Sequence, residues 1–143
     1  MLYYTPYTYP YPLRGEGETD TTAPVVQNID PFPTEELPYG TTEKQITWDT
    51  DECAICRIGE TDEADPDDLT YATTIETAGD CAATFGTSHS YTVTGLGNGD
   101  SETWYIGGED DEDTPNETVT NEISAFTVAS DPPAEGRMTV VWE

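Results

Sequence analysis

The sequence predicts an all-β protein with one two-layered sandwich. β-Branched and aromatic residues fall in short runs that alternate with threonine or charged residues, as in half-buried strands. Turns rich in Gly, Pro, Asn and Asp separate these runs. The length, 143 residues, suits one domain with additional segments at its ends. We expect an extended arm at 1–22, the sandwich at 23–130, and a linker with one extra strand at 131–143.

The clearest pattern is SHSYTVTGLGNGDSETWYIGGED, residues 88–110. Tyr91 and Val93 alternate with threonines as in a strand, and a β-branched and aromatic run resumes at 103–106. The glycine-rich stretch between them, 95–99, supplies the positive φ angles of a tight turn. The pattern therefore predicts two consecutive strands joined by a short corner.

Shorter predicted strands surround this pair. Side chains on one face of such a strand are two residues apart, which identifies the core candidates. A loop rich in acids, 60–68, precedes a short strand that we expect at a sheet edge. The predicted strands are 24–29, 44–49, 54–59, 69–75 and 121–128, with a turn at 35–42. The core candidates are Ile46, Trp48, Ala54, Cys56, Ile58, Leu69, Tyr71, Ile75, Phe126 and Val128.

Two stretches, GLGNG at 95–99 and TDECAICR at 50–57, resemble fibronectin type III and immunoglobulin-like sandwich domains. The second is similar to a subgroup of fibronectin type III-like repeats from microbial surface proteins. The resemblance extends over 23–130 and implies a sandwich of that type. It fails at two positions, because Glu102 replaces the family's corner tyrosine and Gly108 replaces its second cysteine. The bridge that the family would imply for Cys56 is therefore excluded.

The three cysteines allow more than one arrangement. Cys53 and Cys56 have C-x-x-C spacing, but a zinc site needs four ligands and His89 is the one histidine in the sequence. We expect either buried thiols or one bridge, Cys53–Cys81 or Cys56–Cys81.

The charge restricts the habitat and the partners. There are 30 acidic and 4 basic residues, and the acids are spread over the whole chain. At molar salt the Debye length is only about 3 Å, so such a surface no longer repels itself strongly. We therefore expect a halophilic origin. Phosphate binding needs clustered Lys and Arg, which excludes nucleic acid as a partner. There is no apolar run of about 18 residues, so we expect no membrane partner.

No pattern in the sequence indicates catalysis. His89 stands beside Ser88 and Ser90, without the G-x-S-x-G turn that would build a catalytic triad. Carboxylate pairs are too abundant to identify a glycosidase site. We expect that the protein is not an enzyme.

The loop at 109–117 is the candidate metal site. Its oxygen ligands suit Ca²⁺ or Mg²⁺, although the EF-hand pattern is absent and a solvated acidic loop is the alternative. Asn116-Glu-Thr118 also fits the N-glycosylation triplet, which matters only in an exported protein. The candidate ligands are Asp110, Asp111, Asp113 and Asn116.

Both ends of the chain are candidate interfaces. Prolines among the first twelve residues exclude a helix or a central strand, and the tyrosines between them are favoured at interfaces. We expect an arm that lies on a neighbouring subunit, with a flexible tail as the alternative. The run MTVVW, 138–142, predicts a strand that pairs with an edge of its own domain or with another subunit. The interface candidates are Tyr3, Tyr4, Tyr7, Tyr9, Tyr11, Val140 and Trp142.

Two functions fit these expectations best. The first is a virion component of a virus of a halophilic archaeon, such as a capsid decoration, turret, tail or fibre protein. Because no secretory leader pattern is visible, either a leader has been removed or the protein is assembled without the secretion route. Its partners would be copies of itself, other virion proteins and a host surface. The second is an extracellular filament subunit or cell-surface adhesion module. A sugar-binding module, which would use an exposed Trp104 or Tyr105, is a third.

Overall fold

The computed structural model describes residues 20–32, 34–112 and 114–134, and these residues form an all-β fold, as the sequence predicts. Within these ranges no helix is long and apolar enough to cross a membrane. One 3₁₀ turn spans Pro66–Asp68. The strands are β1 Val26–Asp30, β2 Glu35–Leu37, β3 Glu43–Gly59, β4 Tyr71–Ala72, β5 Thr74–Thr77, β6 Gly86–Thr94, β7 Ser101–Asp110 and β8 Glu122–Val128.

The strands form one mixed sheet that curls into two layers, because β3 bends and contributes to both. Its first part pairs with β1 and β6, its second part pairs with β4 and β7, and the register with β6 shifts between Asp49 and Ala54. β5 extends the first layer, whereas β8 and then β2 extend the second. Tyr91, opposite Ile46, stacks at 5.3 Å on Tyr71, which is opposite Ile58. The two parts of β3 therefore face each other, in an arrangement compatible with a β-sandwich.

One apolar core fills the space between the layers. The core candidates of β3 and β8 are buried, because the alternation along these strands places their side chains on the inner face. Of the three inward candidates at 69–75, Leu69 is buried, whereas Tyr71 and Ile75 are only partly buried. Trp104 and Ile106 of β7 are buried beside them. The core residues are Val26, Leu37, Ile46, Trp48, Ala54, Cys56, Ile58, Val93, Leu96, Trp104, Ile106, Phe126 and Val128.

Two segments differ from their predicted structure. Residues 35–42 contain a strand, β2, which pairs in parallel with β8 and buries Leu37. The strand predicted at 69–75 is two short strands, because β4 pairs with β3 in one layer and β5 with β6 in the other. Leu69 is fully buried outside any strand, close to Gly59, whose missing side chain leaves room for it.

The strand directions give the molecule two ends. We call the end where β6 begins and β7 finishes the acidic end, and the end where β6 finishes and β7 begins the turn end. β1, β2 and β8 all run from the acidic end towards the turn end. The described chain therefore enters at Asp20, whose carbonyl accepts from Asn116 at the acidic end, and leaves through Ala134 at the turn end.

Candidate functional site

The predicted metal loop at the acidic end is organised by the carboxylate of Asp110, which is only 1% exposed. One of its oxygens accepts from the backbone N–H of Asn116 at 2.9 Å and of Glu112 at 3.3 Å. The other accepts from the side-chain amide of Asn116 at 2.7 Å. Since both oxygens already accept hydrogen bonds from the protein, Asp110 acts here as the structural acceptor that closes the loop.

The structure thus brings together two of the four candidate metal ligands. Asp110 and Asn116 are in contact, whereas the exposed Asp111 lines a neighbouring groove. Asp113 lies outside the described residues. Among the residues that are described, no three acidic, histidine or cysteine side chains are grouped so that they could hold a metal ion. Binding of Ca²⁺ or Mg²⁺ by this loop stays a prediction.

The N-glycosylation triplet is engaged within the fold. The Asn116 side-chain amide also donates to the carbonyl of Asp20 at 3.0 Å. The hydroxyl oxygen of Thr118 accepts from the backbone N–H of Gly108 at 3.1 Å. A glycan on Asn116 would therefore have to displace the hydrogen bonds that close the loop.

Beside this loop, carboxylates line a cavity of about 420 Å³, which we call the acidic groove. The groove combines the bend of β3, the loop before β6 and the residues after β7. These segments are distant in the sequence, so the fold and not a local motif assembles the negative charge. The acidic residues are Asp20, Asp51, Glu52, Asp80, Asp111 and Glu112.

The ionisation of Glu52 is shifted by its position in the groove. Burial raises the pKa of Glu52 to about 7, and the neighbouring carboxylates of Asp20 and Asp51 contribute in the same direction. A carboxyl group with this pKa carries its proton in about half of the molecules near neutral pH. The charge of the groove therefore changes within the physiological pH range.

A disulfide bond also lines the acidic groove. Cys53 of β3 is joined to Cys81 of the loop before β6, across 28 positions of sequence. This confirms one of the two expected bridges. Cys56 is a free, buried thiol whose pKa burial raises to about 12. It lies opposite Gly108, where an added Cβ would come within 2.9 Å of its sulfur, so the glycine at this position makes room for the thiol.

His89 is part of the core and does not form a catalytic relay with its neighbours. Its Nε2 donates to the carbonyl of Gly86 at 3.1 Å, and its ring stacks on Trp48. Burial lowers the pKa of His89, which favours the neutral ring. Ser88 and Ser90 donate instead to the carboxylates of Asp49 and Glu76, respectively. The absence of enzymatic activity stays a prediction.

The aromatic pair considered for sugar binding is divided between the two faces of β7. Trp104 points into the core, where it packs with Tyr71 and Tyr91. Tyr105 is half-buried on the outer face, opposite Ile123 of β8. The pair therefore offers one partly accessible ring, which is a limited platform for a sugar.

The turn end contains a groove that the sequence did not reveal. A cavity of about 370 Å³ lies between the residues around β2 and those that follow β8, and we call it the turn-end groove. Tyr39 on its wall is 43% exposed. The sequence does not indicate this groove, because the pattern at 35–42 predicts a turn and the single apolar residue in EEL is a weak strand signal. The lining residues are Glu36, Leu37, Pro38, Tyr39, Ala129, Asp131 and Pro133.

The interface candidates Tyr3, Tyr4, Tyr7, Tyr9, Tyr11, Val140 and Trp142 lie outside the described residues. A scan against models of protein families finds no match for the chain. A search of curated proteins finds no significant match.

Proposed function

We propose that this chain is a non-enzymatic structural protein that assembles through its N-terminal arm. The observation that supports this best is that the described chain enters at the acidic end, at Asp20, and leaves at the turn end, at Ala134. Segments that leave a domain at opposite ends can contact different neighbours. That geometry favours head-to-tail assembly with copies of the same chain or with other structural proteins.

The sheet offers places where an extended arm can bind. Among the described residues, β5 pairs only with β6, and β1 pairs only with β3. β5 has the sequence TIET, without the Pro or Lys that often protect an edge strand. An arm rich in Tyr and Thr can add to such an edge through backbone hydrogen bonds, while its tyrosines bury apolar area.

The sandwich type is part of the same proposal. Two features support an immunoglobulin or fibronectin type III-like domain: the parallel pairing of β2 with β8 and the corner at 95–99. Domains of this type are common on the capsids and tails of viruses, which is an analogy from fold. Together with the acidic composition, this analogy favours a virion component of a virus that infects a halophilic microbe, such as a capsid decoration, turret, tail or fibre protein.

A second function is favoured by the Cys53–Cys81 bridge. Disulfide bonds persist mainly in oxidising compartments, so the bridge suits an extracellular filament subunit or a cell-surface adhesion module. Mass spectrometry of the native protein distinguishes the two functions. Recovery from purified virions supports the first, whereas recovery from cell-surface filaments supports the second.

Light scattering at molar KCl tests assembly through the arm. We expect defined oligomers of the full chain and monomers of a chain that begins at Asp20, which keeps the described domain intact. A matched full-length control replaces the five arm tyrosines with serine and should also be monomeric, because the interface depends on their apolar area. If the full chain and the truncated chain form particles with the same number of subunits, assembly through the arm is wrong.

A further inference from the structure

We propose that a cavity on the outer face of β3 and β7 binds a small zwitterion, a molecule that carries a carboxylate and an ammonium group on a short apolar frame. We call it the outer-face cavity. It shares no lining residue with the acidic groove or the turn-end groove. Its walls carry opposite charges that do not pair with each other, and a ligand with two charges can satisfy both.

The pairing of β3 with β7 places two charged residues side by side on this face. Cys56 and Ile58 point into the core, so Arg57 between them points outward. Glu109 points outward for the same reason, because the next residue, Asp110, is buried. In the register of the two strands, Arg57 lies two positions from the partner of Glu109. Such diagonal neighbours lie about 7–8 Å apart, within reach of long side chains.

The walls around these two residues are largely apolar. Ile55 continues the outer face of β3, and Ala72 of β4 is paired with Arg57. Pro66 of the 3₁₀ turn and Ile75 of β5 complete the apolar lining. The volume is about 150 Å³. A cavity of about 150 Å³ accommodates benzene, so this one suits a small molecule and not a peptide.

The charged groups of the cavity do not satisfy one another. Arg57 donates through Nε to the carbonyl of Leu69 at 2.8 Å, and among the described residues its guanidinium forms no ion pair. Asp67 and Glu109 nevertheless line the same cavity. Burial raises the pKa of Glu109, and the carboxylates of Asp67 and Glu117 raise it further. The negative charge of Glu109 is therefore poorly compensated within the protein.

A zwitterion complements both charges at once. Its carboxylate accepts hydrogen bonds from the Nη groups of Arg57, its ammonium donates to Glu109, and its frame packs on the apolar wall. A simple anion would meet the carboxylates of Glu109 and Asp67, and a simple cation would meet Arg57. Each singly charged ligand is thus opposed by a like charge, which gives the cavity its selectivity.

Ligand-detected NMR of the full chain in molar KCl tests the proposal with three probes of similar apolar shape. L-Valine carries both charges, 3-methylbutanoate lacks the ammonium group, and 2-methylpropylamine lacks the carboxylate. We expect a dissociation constant of about 1 mM for L-valine, which is modest for a ligand of this size. The other two probes should bind at least about tenfold more weakly, because each forms one charged interaction and meets one like charge.

Two variants should change these preferences in opposite ways. In Glu109→Gln the ammonium loses its partner, so L-valine should bind about tenfold more weakly and no better than 3-methylbutanoate. In Arg57→Gln the carboxylate loses its partner, so L-valine should bind no better than 2-methylpropylamine. Glu36→Gln removes an exposed charge of β2 and is the matched control. It should bind all three probes as the native chain does.

Three outcomes would overturn the proposal. The first is the absence of saturable L-valine binding up to about 20 mM. The second is a singly charged probe that binds the native chain as tightly as L-valine does, a comparison that needs no variant. The third is unchanged L-valine binding by folded Glu109→Gln and Arg57→Gln, which would place the binding site elsewhere. None of these outcomes bears on the light-scattering result for the arm, so failure of either proposal is distinguishable from failure of the other.

Discussion

The two ends of the molecule are held together by different interactions. At the acidic end, the Cys53–Cys81 bridge and the hydrogen bonds to Asp110 join loops whose carboxylates repel one another. At the turn end, backbone N–H groups hold the turns, as where Gly40 donates to the Asn98 side chain and Gly99 to the carbonyl of Val128. At the acidic end, the disulfide bond and the hydrogen bonds to the buried carboxylate of Asp110 oppose the repulsion between the carboxylates. Stability at that end should therefore depend on redox state and pH.

The largest effect should follow loss of the disulfide. Replacing Cys53 and Cys81 with serine should lower the free energy of unfolding by about 3 kcal/mol, because the bridge constrains the unfolded chain across 28 positions. Urea denaturation at molar KCl measures the change, and amide exchange should accelerate at 78–85 more than at 95–100. Treating the native protein with a reductant is the control, because it breaks the same bond without a substitution. Equal acceleration at both ends would contradict the comparison.

Asp110→Ala should have the next largest effect. We expect a loss of about 2 kcal/mol in the free energy of unfolding, because the partly buried donors of Asn116 lose their acceptor. Asp111→Ala is the matched control, since its exposed neighbouring carboxylate should contribute less than about 0.5 kcal/mol. Chemical denaturation of both variants measures the difference. Equal stabilities would show that Asp110 does not hold the loop.

Glu52→Gln should have the smallest effect and a distinctive pH dependence. The folded pKa of about 7 exceeds the ordinary value of 4.5, so the folded state binds the proton more tightly than the unfolded state. Ionisation of Glu52 therefore destabilises the fold progressively as pH rises from 4.5 to about 7. After allowance for solvent screening, the variant should be about 1 kcal/mol more stable than the native protein above this range.

Denaturation at several pH values measures the effect of Glu52→Gln. The advantage of the variant should disappear below pH 4.5, where Glu52 is protonated in both states. Glu36→Gln, an exposed substitution near the turn end, removes the same charge and serves as the control. An advantage of Glu52→Gln that does not vary with pH would assign the effect to packing and not to ionisation.

The alternation of apolar and polar residues along the strands made much of the fold predictable. Ile46 and Trp48 were assigned to the core because a strand repeats its faces every two residues, and both are buried. β2 was not predicted, because a three-residue strand with one buried side chain has no recognisable period. Leu69 is buried, as predicted, but it lies outside any strand, beside Gly59, and this contact is made through tertiary structure.

The candidate site was less predictable, because its acidic residues differ in burial and the residue type alone does not reveal which of them is buried. In the sequence Asp110 resembles the other acids of its loop, and so it was grouped with potential metal ligands. Extending the alternation of Trp104, Ile106 and Gly108 by two residues would have placed it on the inner face of β7. The acidic groove gave no comparable signal, because its members come from separate segments that only the fold brings together.

The crossing of β3 between the layers has a consequence for resistance to proteolysis. A protease cleaves segments that can leave the fold and enter its active site, and loops between strands usually provide them. Here the crossing is held on several sides, because Val25 donates to Asp51, Thr50 donates to the carbonyl of Glu52, and Cys53 is covalently attached. Cleavage at the crossing must therefore wait for unfolding. The rate of cleavage at this crossing is then set by how rarely the domain unfolds.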